Sequence, residues 1–113
     1  MGIRESMYKA LQDAGLLVYL PGQAEGDCKA GYVVISDGGV IAMGRGTGRK
    51  SFLVTAYVPA ARPLDLRPLL VSASAALAPI RNLRTNGEVS PEDFDEARKA
   101  VFAAIEYTAL CAI

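Results

Sequence analysis

Ser51-Phe52-Leu53-Val54-Thr55-Ala56-Tyr57-Val58 is the stretch on which the fold turns. It is β-branched and aromatic, contains neither glycine nor proline, and is closed by Pro59 and Pro63, so it reads as a strand. Tyr32-Val33-Val34-Ile35 upstream has the same character. Asp37-Gly38-Gly39 is expected to stop that run in hairpin fashion, with Val40 to Met43 starting the returning strand. Glycines 44, 46 and 48, interleaved with Arg45 and followed by Arg49 and Lys50, then read as a flexible basic tip.

Working outward, residues 3–14 place Ile3, Met7, Ala10, Leu11 and Ala14 on one side of a helix that Gly15 is placed to end. Leu16 to Leu20 is a short apolar strand leading into a Pro21-Gly22 turn, and 23–30 is loop. A second helix fits 66–78, with Asp65 as N-cap, Pro68 in the first turn, and a stripe of Leu66, Leu69, Leu70, Ala73 and Leu77. Pro79, Asn82 and Asn86-Gly87 mark a turn-rich connection.

The carboxyl end carries two conflicting signals. Ser90-Pro91-Glu92-Asp93 has the form of a capping box with proline at the first helical position, which favours a helix. Val101, Ala103, Ile105, Tyr107, Ala109 and Cys111 are instead apolar at strict alternation, as in a strand. The reading adopted is one helical turn near 91–95 and a long strand over about 98–111, the many alanines keeping a helix open as the alternative. The order is then α-β-β-β-α-β, a single α+β domain over 1–113 with a mainly antiparallel sheet and two helices on one face.

Composition narrows the function. The 113 residues are 51% hydrophobic and 21% charged, which argues against intrinsic disorder. Twelve basic residues balance twelve acidic ones, so the chain lacks the charge excess of a general nucleic-acid coat. It contains no histidine, which removes histidine acid–base catalysis, histidine metal ligands and every histidine-dependent triad. The two cysteines, Cys28 and Cys111, cannot complete a structural zinc site or a disulfide scaffold. The longest uncharged stretch, Pro68 to Ile80, falls short of the ~20 residues a membrane helix needs. Met1-Gly2 with Ser6 matches the short myristoylation pattern, but an ordinary amphipathic helix start explains it better. The default is a cytoplasmic protein with reduced thiols.

Other motifs fail on spacing. Gly44 to Ser51 suggests a phosphate loop, but Arg49 separates Gly48 from Lys50, and the segment lies between strands where a P-loop runs into a helix. No cofactor or metal site is expected. Glu92, Asp93, Asp95 and Glu96 fall in one short run without a second ligand group and read as a solvated acidic turn. Cys28 reads as structural and the tyrosines as core or interface residues.

One feature stands out. Arg45 to Arg84 holds seven basic residues and one acidic one, a balance of +6, whereas Glu88 to Glu96 holds five acids and no base. Such segregation either neutralises itself within one subunit or draws copies together head to tail, which closes rings when the rotation allows. The candidate contact residues are Arg45, Arg49 and Lys50 on one side and Asp93, Asp95 and Glu96 on the other.

The order of elements and three phrases carry a resemblance. The phrases are Val18-Tyr19-Leu20-Pro21-Gly22-Gln23, then Gly26-Asp27-Cys28 leading to Tyr32-Val33-Val34-Ile35-Ser36-Asp37-Gly38-Gly39, and the late Ile105-Glu106-Tyr107. The chain resembles small neck and tail-completion proteins of long-tailed bacteriophages and their prophages, most nearly the tail terminators. That resemblance implies a non-enzymatic virion protein, a ring subunit (hexameric in the tail terminators) whose partners are tail-tube or connector proteins. It also implies a location in the virion and, before assembly, in the cytoplasm of the bacterial host. Neither a membrane nor a specific nucleic acid is an expected partner. The alternative is a small ferredoxin-like ligand-binding or regulatory domain that uses the 44–51 loop for an anion.

Overall fold

The computed structural model describes residues 2–112. Its central element is the strand that opened the sequence reading, here running from Thr47 to Pro59 (β3). One neighbour is Tyr32–Gly44 (β2), antiparallel from Tyr32↔Tyr57 to Gly44↔Thr47. The other is Ala100–Ala112 (β6), antiparallel from Thr47↔Ala112 to Pro59↔Ala100. The alternating carboxyl end is therefore a strand, as its period requires.

Short strands cover the flanks. Val18–Tyr19 (β1) pairs parallel with Val33 and Val34 on the outer edge of β2. The outer edge of β6 receives Leu83–Arg84 (β4), a bridge between Val89 and Ile105, and Asp93–Asp95 (β5). The sheet order is β1-β2-β3-β6-β4, with β5 also on β6. The fold is α+β with a mainly antiparallel sheet.

Both helices, Ile3–Asp13 (α1) and Leu66–Leu77 (α2), contribute to one core. Met7 and Leu11 from α1 and Leu66, Leu70, Ala73 and Leu77 from α2 are buried against Val33, Ile35, Phe52, Val54, Ala56, Val58, Ala103, Ile105 and Tyr107. These strand residues share one face because side chains alternate along each strand. On the other face, loop 20–31 covers a smaller cluster of Cys28, Tyr32 and Ala100, with Tyr19, Val34 and Tyr57 packed around it. There Tyr19, Tyr32, Tyr57 and Phe102 form an aromatic file with successive centroids 5.2, 5.1 and 5.3 Å apart.

Four local expectations are corrected. First, Asp37-Gly38-Gly39 is not a hairpin turn but a bulge, where the ladder register shifts between Asp37 and Gly39. Gly39 has φ +98°, and a Cβ on Gly38 would collide with Ser51 Oγ, so glycine lets β2 bend and continue. Val40 to Met43 thus belong to the outgoing strand, and the turn is Arg45-Gly46, with Gly46 at φ +70°. Second, residues 47–50 are strand and not a loose tip.

Third, no helical turn forms at 91–95. The Ser90 hydroxyl accepts the Ala104 N–H at 2.9 Å while its own N–H donates to the Ala104 carbonyl at 2.8 Å. Both capping groups are spent on the sheet edge, and Asp93 to Asp95 pair with β6. Fourth, Asp65 makes no side-chain cap. It sits inside a 3₁₀ turn, Pro63–Asp65, with its own backbone helical and its carboxylate 3.7 Å from Arg62 Nε.

Candidate assembly surface

The sheet is longer than the layer that covers it. The molecule measures 49 × 25 × 24 Å, and its radius of gyration of 14.3 Å exceeds the ~13 Å expected for a compact chain of this length. The excess is an arm made of the far halves of β2 and β3 and the end of β6. Helices cover neither side of its tip, and among the described residues nothing pairs with the outer edge of β2 over 36–44. Val40, Met43, Leu110 and, above all, Ile41 (71% exposed) therefore face solvent.

The basic candidates lie on this arm. Arg45 forms the turn with Gly46, and Arg49 is exposed on β3 between Ile41 and Leu110. Lys50 is different. It lies on the helix-covered side, 3.7 Å from Asp37 and 5.5 Å above the Phe52 ring. Asp37 also accepts Arg4 at 3.3 Å, and Arg4 donates to the Ile35 carbonyl at 3.2 Å, capping the β2 edge where β1 stops. A hollow of about 670 Å³ beside this cluster reaches Tyr8, Phe52 and Leu110.

The acidic candidates lie at the opposite end. Lys50 is opposite Ala109 on β6 and Asp95 is opposite Ala100, so nine residues of extended strand, roughly 30 Å, separate them. The two sets therefore do not neutralise each other within a subunit. Asp95 is half-buried and accepts both the Arg98 side chain at 2.9 Å and the Arg98 backbone N–H at 3.2 Å. Burial opposes its ionisation, but these hydrogen bonds and the Arg98 charge outweigh it and hold the carboxyl below its usual range. Asp93 is exposed and accepts the Phe94 N–H at 2.8 Å, and Glu96 is exposed in the turn before β6. Among the described residues, Arg45, Arg49, Asp93 and Glu96 make no ion pair.

Exposed apolar side chains collect at the acidic end as well. Leu64 (89% exposed) and Val71 (62%) project from α2 and the turn before it, and Val89 and Phe94 lie on the β6 edge. Between α2 and segment 85–92 runs a groove of about 420 Å³ floored by Leu70, Ala103 and Ile105, with Arg67 and Glu92 on its walls. The sequence reading missed these positions. Val71 lies off the buried stripe of its helix, and a large apolar residue on the wrong side of an amphipathic pattern was the available signal.

The other candidates stay structural. Cys28 is buried, its thiol donates to the Ala30 carbonyl at 3.3 Å, and burial raises its pKa. The 44–51 stretch leaves only Arg45 and Gly46 outside the ladder. β3 is central, so its amides are already paired and do not form a phosphate cradle. No helix of the described residues is long and apolar enough to cross a membrane. No known protein-family model matches the chain, and no curated protein matches it either.

Proposed function

We propose that this chain is a structural subunit of a phage or prophage virion that assembles head to tail into a closed ring, as a tail terminator or a head–tail joining component. One observation carries the ring: unpaired basic and acidic side chains sit at opposite ends of one elongated sheet. Arg45 and Arg49 cannot reach Asp93 and Glu96 of their own subunit, yet a neighbouring copy presents them. A head-to-tail contact of this kind joins different surfaces and therefore closes or extends, whereas an antiparallel two-fold pair, which would also bring the two ends together, stops at two copies. The resemblance in the Val18–Gln23, Gly26–Gly39 and Ile105–Tyr107 phrases supports the virion setting. A scaffold without histidine whose only buried thiol has a raised pKa suits an architectural role, with no cofactor.

Sedimentation equilibrium of the purified chain tests the ring. A closed oligomer, with the hexamer as the expected size, supports the reading. A monomer or a strict dimer at every salt concentration overturns it. The charged pairs are accessible and worth about 0.2–1 kcal/mol each, so reversing Asp93 and Glu96 to lysine shifts the dissociation constant and its salt dependence without changing the melting temperature.

A further inference from the structure

We infer that the apolar arm tip of one copy, centred on Ile41, seats in the groove between α2 and segment 85–92 of the next copy. This inference rests on the ring reading and names its contact. Eight of the large exposed hydrophobic side chains divide between the two ends, four on the arm and four at the acidic end, of which Val71 and Val89 line the groove. A lone subunit gains nothing by leaving them in water, and concentrations of this kind mark interaction surfaces. The sheet edge makes the same point. Among the described residues nothing pairs with the edge of β2 over 40–44, which has no proline, no lysine and no charge, the kind that proteins normally blunt or cover.

Charge selects the occupant. The arm carries Arg45 and Arg49 around its apolar tip, while Glu92 lines the groove and Glu88 adjoins Val89 at its rim. Arg67 offsets Glu92 within the lining, so the receiving side is net negative through the exposed acids beside it, Glu88, Asp93 and Glu96, whereas the arriving side is net positive. Apolar residues at the centre with complementary charges around them are the usual anatomy of a specific interface. Another arm does not fit an arm, since like charges would meet. The occupant is a second copy of this chain, entered arm first.

The test uses two variants altered only at exposed positions. One breaks the arm (Ile41→Glu with Met43→Glu), and the other breaks the groove (Val71→Glu with Val89→Glu). Circular dichroism and a cooperative melt establish that each folds. Each variant alone should sediment as a monomer, with association weakened ~30-fold or more. An equimolar mixture should form a one-to-one pair and nothing larger, because it retains one intact arm facing one intact groove. Rings that persist in the arm variant overturn this contact and leave the ring reading standing. A mixture that stays monomeric also overturns the contact. A wild-type chain that forms no ring defeats both. Should either variant fail to fold, the exchange Arg45→Glu with Glu92→Arg serves instead. Each single change must weaken assembly and the pair restore it, and absence of that rescue overturns the contact.

Discussion

Phe52 and Leu110 lie three ladder positions apart on neighbouring strands and on opposite faces of one sheet, and they live in different environments. Phe52 is 2% exposed beneath the helices, and Leu110 is 54% exposed on the arm. Strand propensity and hydrophobicity are alike at the two ends. What differs is the second layer: α1 and α2 lie over the face of Phe52, whereas on the face of Leu110 loop 20–31 covers only the near half and the far half runs on past it. Burial in this sheet is therefore set by what lies over a strand and not by the strand itself. An end left uncovered is free to serve a neighbour.

The largest expected effect comes from attacking the covered end. Phe52→Ala leaves a cavity between β3 and the helices, and urea unfolding should show a loss of about 3–5 kcal/mol. Leu110→Ala, measured in the monomeric arm variant so that assembly does not contribute, should cost less than about 0.5 kcal/mol. If the two losses are alike, the arm is packed in the free subunit and the contrast fails. The bulge at the boundary comes next. Gly38→Ala drives a Cβ toward Ser51 Oγ and should cost about 1–2 kcal/mol, and adding Ser51→Ala should recover most of it. Failure of that recovery would locate the strain in the backbone.

A smaller effect sharpens the acidic end. The Asp95 carboxyl is held below its unfolded value of about 3.9, so its contribution is complete above that pH and is lost as pH falls through the lower folded value. Asp95→Asn should therefore cost about 1 kcal/mol at pH 7 and almost nothing in strong acid, as read from melting curves across pH. The two cysteines compare the two ends directly. Cys111 is partly exposed on the arm, whereas Cys28 is buried with a raised pKa. Mass spectrometry of the native protein treated with a maleimide should find Cys111 modified ~10-fold faster or more. The smallest change is at Lys99, which sits at φ +50° in the turn before β6. Lys99→Gly should raise stability by no more than about 1 kcal/mol, since its ion pair to Asp27 is exposed.

Much of the architecture was legible because it is written in local periodicity. The i, i+3/i+4 stripe around Met7 and Leu11 is α1, the Leu66–Leu77 stripe is α2, and the period of two from Val101 to Cys111 is β6. Where two local codes competed, neighbouring chain decided between them. Ser90-Pro91-Glu92-Asp93 has a valid capping pattern, but Ser90 found partners on Ala104 that no local pattern displays. Asp37-Gly38-Gly39 is equally valid as a turn or a bulge, and the choice depended on Ser51 approaching Gly38 too closely for a side chain. For the candidate site, the chain order of the charges was plain, but their separation was not. Arg45, Arg49, Asp93 and Glu96 could have met in one subunit until the register of β3 on β6 set them at opposite ends. Lys50 and Asp95 proved to be engaged at home, with Asp37 and Arg98, through contacts set by packing.

The sequence by itself determined the two helices, the three long strands and the segregation of acid from base, because propensity, period and charge are properties of neighbours along the chain. Only the tertiary structure decided that the sheet outruns its helices, that Val40 to Met43 lie bare on an arm, and that Val71 and Val89 border a groove. Those facts depend on where non-local ladders end, and the closing of a ladder is settled by distant residues competing for the same backbone groups and the same cover.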